Sequence, residues 1–65
     1  MEFEVLQLLR ASAGTPFSAK EVAKKLDRKQ YREDPYWAKP ILDRLVMLQQ
    51  LQINKNGDYV FPKQR

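Results

Sequence analysis

Cysteine and histidine are both absent from the 65 residues. Without cysteine there is neither a disulfide framework nor a thiolate zinc site. Without histidine the commonest general base and metal ligand is missing. Glycine occurs only at Gly14 and Gly57, which excludes a glycine-rich phosphate loop. No apolar run approaches the roughly 18 residues that a membrane span needs. No basic stretch followed by an apolar run opens the chain, so no secretory signal is expected and a cytoplasmic location is the default. What is present suits a folded domain: hydrophobic residues make up 43% and charged residues 31%. The length allows one domain, residues 1–65, near the lower size limit for an unaided core. A net charge of +4 and a pI near 9.6 point to a polyanionic partner, although such a charge also serves solubility.

The longest helix is expected over residues 34–51. Asp34 can cap it, and Pro35 fits the first helical position, where a missing N–H costs nothing. Ala38, Ile41, Leu42, Leu45 and Leu48 recur at helical spacing and form its core stripe. The outer face carries Tyr36, Pro40, Asp43 and Met47, with Lys39 and Arg44 at its rims. Pro40 conflicts with a continuous helix, because an interior proline removes a hydrogen bond and clashes with the preceding turn. Either the helix kinks there, or residues 35–38 form a separate turn and the main helix starts at Pro40. Trp37 lies on the core side as a packing anchor.

A first helix is expected over residues 2–13, dense in Val5, Leu6, Leu8 and Leu9 and closed by Gly14 in a left-handed conformation. Thr15-Pro16-Phe17 reads as a short extended connector, with Phe17 pointing inward. Ser18-Ala19-Lys20-Glu21 is a capping box, and Ala19, Val22, Ala23 and Leu26 form the apolar face of the helix it starts. Residues 28–33 read as a loop, or a loop holding one turn of helix. After Leu51 the periodicity becomes alternating, and Asn56-Gly57 signals a hairpin with a two-residue turn. Pro62 ends its second strand, and residues 63–65 form a basic tail. Ala19, Val22, Ala23, Leu26, Ile41, Leu45 and Leu48 are expected to be buried together, with Leu9 and Ile53 closing the core.

Two stretches, VLQLLRASAGTPFSAKEVAKKL and ILDRLVMLQQLQINKNGDYVF, resemble the opening and the third-helix-to-wing part of winged helix-turn-helix domains of small bacterial or archaeal regulators. The resemblance implies an α+β fold: three helices with a C-terminal β-hairpin wing. Gln49-Gln50 stands where the family usually carries a helix-ending glycine. The resemblance also implies a DNA-binding role in transcription regulation, with the third helix in the major groove and the wing on the backbone. Lys24, Lys25, Arg28, Lys39, Arg44 and Lys55 are then the expected DNA contacts, mostly to phosphates of double-stranded DNA. The run from Lys20 to Arg32 has six basic residues (Lys20, Lys24, Lys25, Arg28, Lys29 and Arg32) against Glu21 and Asp27.

The outer face of the long helix suggests an alternative. Base reading favours Arg, Lys, Asn, Gln, Ser and Thr. Tyr36, Pro40 and Met47 instead form an apolar strip suited to docking another protein. The DNA-binding reading also allows a homodimer. Catalysis is not expected: Ser12, Thr15 and Ser18 have no histidine to activate them, and Glu33 and Asp34 read as capping acids. Neither a cofactor nor a metal is implied.

Overall fold

The computed structural model describes residues 2–63, where the polar signals spaced along the chain set out four helices and a hairpin. Helix α1 (Glu2–Ala11) has Glu2 and Glu4 in its first turn and Arg10 in its last, each matching the helix dipole. It ends two residues before the expected boundary, and Gly14 follows with φ +88°. Helix α2 (Ala19–Leu26) carries the complete capping box: Glu21 N–H donates to Ser18 Oγ at 3.1 Å, and Ser18 N–H to Glu21 Oε1 at 3.2 Å.

Residues 28–33, expected as a loop or a loop holding one turn of helix, are helical throughout and form α3 (Arg28–Glu33). The fold is therefore α+β with four helices rather than three. Asp27 makes the corner between α2 and α3. Its backbone N–H donates to Ala23 O at 3.0 Å, and its carboxylate accepts Gln30 N–H at 3.1 Å. One extended residue thus closes one helix and caps the next.

The single helix expected over residues 34–51 is divided. Asp34 caps a turn, not a helix: its Oδ1 accepts Tyr36 N–H at 3.0 Å and its carbonyl accepts Trp37 N–H at 3.1 Å. Helix α4 (Lys39–Met47) follows, with Pro40 as its second residue. There the missing N–H has no intrahelical partner to lose. Residues 35–38 thus form a turn of their own, and the helix does not kink at Pro40.

Strands β1 (Gln52–Ile53) and β2 (Tyr59–Val60) pair antiparallel, Gln52 opposite Val60 and Ile53 opposite Tyr59. The loop is longer than the expected two-residue turn. Gly57 N–H donates to Asn54 O at 3.0 Å and Asn54 N–H to Asp58 O at 2.9 Å, so three residues, 55–57, make the reversal. Gly57 takes the left-handed position with φ +83°, while Asn56 keeps negative φ. This is the three-residue hairpin in which a turn is followed by a left-handed glycine. The connector also joins the sheet. Phe17 and Tyr59 exchange both backbone hydrogen bonds, at 2.8 and 2.7 Å, which puts β2 in the middle and β1 at the edge.

The core draws Val5 and Leu9 from α1, Phe17 from the connector, Val22 and Ala23 from α2, Ala38, Leu42 and Leu45 around α4, then Leu51 and Tyr59. Ala19, Leu26 and Ile41 pack against it half-buried. Leu48 and Ile53, expected inside, are exposed. The stripe of α4 centres on Ala38, Leu42 and Leu45, and at about 100° per residue Leu48 falls well to one side of it. Ile53 sits on the edge strand, outside the helices that cover Tyr59.

Candidate nucleic-acid interface

The α2–α3 corner gathers much of the positive charge. Lys20, Lys24 and Lys25 project from α2, and Arg28, Lys29 and Arg32 from α3, all exposed. Lys24, Lys25 and Arg28 line one surface depression together with Glu21 and Leu26. Neither Lys24, Lys25 nor Arg28 has an acidic partner within ion-pair distance among the described residues. Their proximity follows from Asp27: capping both helices folds the first turn of α3 back beside the last turn of α2.

Two of the other expected DNA contacts, Lys39 and Arg44, are held in ion pairs with carboxylates of this chain. Lys39 Nζ donates to Asp43 Oδ2 at 3.1 Å and to the Tyr59 hydroxyl oxygen at 3.3 Å. The Tyr59 hydroxyl in turn donates to Asp43 Oδ1. Arg44 Nε pairs with Glu2 Oε2 at 3.2 Å, tying α4 to the start of α1. Lys55 is exposed in the hairpin loop, whose shape is held by Asn54: its Oδ1 accepts the N–H groups of Asn56 at 3.0 Å and Asp58 at 2.9 Å.

The cluster of Lys39, Asp43 and Tyr59 was not legible in the sequence. It links α4 to the central strand, and it shifts all three titrations. The Tyr59 hydroxyl and, less strongly, the Lys39 ammonium hold the Asp43 carboxyl below its ordinary range. The hydrogen bond to Asp43 and contact with Tyr59 raise Lys39. Burial, then the Asp43 carboxylate, raise the Tyr59 phenol. Asp43, placed by the sequence on the outer face of the long helix, serves here as the shared acceptor for Tyr59 and Lys39.

The proposed apolar strip is also rearranged. Tyr36 lies in the turn before α4, where Lys20 Nζ stands 5.3 Å from its ring centroid. Pro40 and Met47 remain exposed on α4, Met47 at 83%. Phe3 is a further exposed apolar group, at 70%. Trp37 acts as the expected anchor: it packs on the core, and its indole N–H donates to Ala23 O at 3.3 Å.

Among the described residues no group of three or more acidic side chains is placed to hold a metal ion. No described helix is long and apolar enough to cross a membrane. Comparison with models of known families, with curated proteins and with solved structures found no match.

Proposed function

We propose that this chain is a small winged-helix domain that binds double-stranded DNA chiefly through phosphate contacts from the α2–α3 corner. The observation that carries the reading is the shared depression of Lys24, Lys25 and Arg28, three exposed cations without ion-pair partners among the described residues. Support for the fold type comes from the order of elements and from the backbone pairing of Phe17 with Tyr59 beside the hairpin. Lys55 at the hairpin tip supplies a fourth contact. Lys39 and Arg44 contribute less, because each already pairs at the surface with a carboxylate of this chain.

Titration of a mixed-sequence duplex at several salt concentrations tests this. Three or four phosphate contacts predict a loss of about 40- to 150-fold in affinity between 50 and 200 mM salt. Replacing Lys24, Lys25 and Arg28 by alanine should abolish most binding and flatten the slope, while Lys39→Ala should leave the slope nearly unchanged. Duplex affinity unaffected by the triple replacement refutes the assignment. The exposure of Met47 favours a second reading, a protein-interaction module using Tyr36, Pro40 and Met47. It predicts negligible duplex binding and a partner lost on Met47→Ser.

A further inference from the structure

A second recess lies between α1 and the segment that follows β2, and it shares no lining residue with the α2–α3 depression. Leu6, Arg10, Gln49, Gln50, Phe61 and Pro62 line one part of it. An adjoining part repeats Arg10, Phe61 and Pro62 and adds Lys63. The two depressions meet at Arg10, Phe61 and Pro62, and Leu6, Phe61 and Pro62 supply apolar lining. Among the described residues the charged groups lining them are Arg10 and Lys63, both cationic.

Its walls are held in place. Gly14 N–H donates to Phe61 O at 3.0 Å, which fixes the segment after β2 to the end of α1. The aliphatic stem of Lys63 lies over Gly14, 3.5 Å from where a β-carbon would stand. Phe61 is half-buried and packs against the core, so only part of it is open to a ligand. Gln49 and Gln50 are exposed at the other end and present amide groups suited to an extended backbone.

From this geometry we infer that the groove docks an extended peptide segment of a partner protein in which an apolar residue is flanked by carboxylates. The apolar residue covers Phe61 and Pro62, and the carboxylates pair with Arg10 and Lys63. Charge complementarity selects this occupant, since a basic or neutral segment leaves both cations unmatched. The inference does not depend on DNA binding.

The test is an amide chemical-shift titration with an acetylated, amidated six-residue peptide, two acidic residues on each side of a Leu-Phe pair. Saturable shifts at Leu6, Arg10, Gln50 and Phe61 are expected. Changing the peptide's acids to amides should weaken binding about tenfold, taking about threefold for each half-exposed ion pair. Arg10→Gln and Lys63→Gln should each weaken it about threefold, and either variant alone suffices if the other disturbs the spectrum outside the groove. Equal affinity for the amide peptide, shifts confined to Lys24, Lys25 and Arg28, or the same groove shifts produced more strongly by a single-stranded oligonucleotide would each overturn the proposal.

Discussion

Gln49 occupies a backbone position that glycine would hold with less strain, so Gln49→Gly should stabilise the protein. Its φ is +64°, the one positive value at a non-glycine residue among those described. The conformation is imposed by the way α4 ends. Gln50 N–H donates to Leu45 O and Gln49 N–H to Val46 O, both at 2.9 Å, the paired bonds of a Schellman ending whose left-handed residue is normally glycine. For a residue with a β-carbon, that conformation costs about 1–2 kcal/mol. Glycine adds freedom to the unfolded chain, which offsets about 0.5–1 kcal/mol of the gain. The side chain of Gln49 is exposed and makes no hydrogen bond among the described residues, so its loss removes little else. A net gain of about 0.5–1 kcal/mol is expected. For a domain of this size that is roughly 2–8 °C in Tm. Urea melts should show a higher midpoint with an unchanged slope. Gln49→Ala keeps the strain and should gain nothing. A Gln49→Gly protein no more stable than the parent, or an alanine variant that gains equally, would mean that the backbone at Gln49 holds no strain that glycine relieves.

Leu45→Ala should cost about 2–5 kcal/mol through lost burial and a cavity, whereas Leu48→Ala at the exposed helix end should stay within about 0.5 kcal/mol in the same denaturant melts. Gly57→Val should cost about 1–2 kcal/mol from backbone strain alone, since nothing lies within 4 Å of an added β-carbon, and NMR should show loosened Ile53–Tyr59 contacts. Tyr59→Phe keeps the ring in the core but removes the hydroxyl from Asp43 and Lys39, so a loss of about 0.5–1.5 kcal/mol at neutral pH is expected. The same cluster sets the pH limits. Asp43 titrates lower when folded, so its stabilisation is present above the usual carboxylate pKa and is lost as pH falls through the folded value. Tyr59 and Lys39 titrate higher when folded, so theirs holds below pH ~10 and is lost in strong alkali. Melts across pH should show both losses diminished in Tyr59→Phe.

What the sequence determined by itself is what neighbouring residues can decide. Ser18 and Glu21 are three apart and start α2 without help from the rest of the chain. Gly14 and Gly57 mark the left-handed positions, and Val22, Ala23, Leu42 and Leu45 reach the core because their spacing matches a helix face. Even α3 had a local sign, Asp27 three residues before Gln30, but a six-residue helix with no buried residue has too little periodicity to read. Two proline readings stood equally open until the Asp34 turn set where α4 begins. The remainder depends on residues far apart in the chain. The bridge between Phe17 and Tyr59, the cluster joining Lys39, Asp43 and Tyr59, and the pair of Arg44 with Glu2 exist only once the helices and hairpin have packed. Those contacts also decide which cations remain open. A lysine's charge is written in the sequence, but whether it faces solvent or an aspartate four residues on is set by the rotamers and surfaces around it. That is why Lys24, Lys25 and Arg28 stand out as a candidate surface while Lys39 and Arg44 already face carboxylates of the same chain.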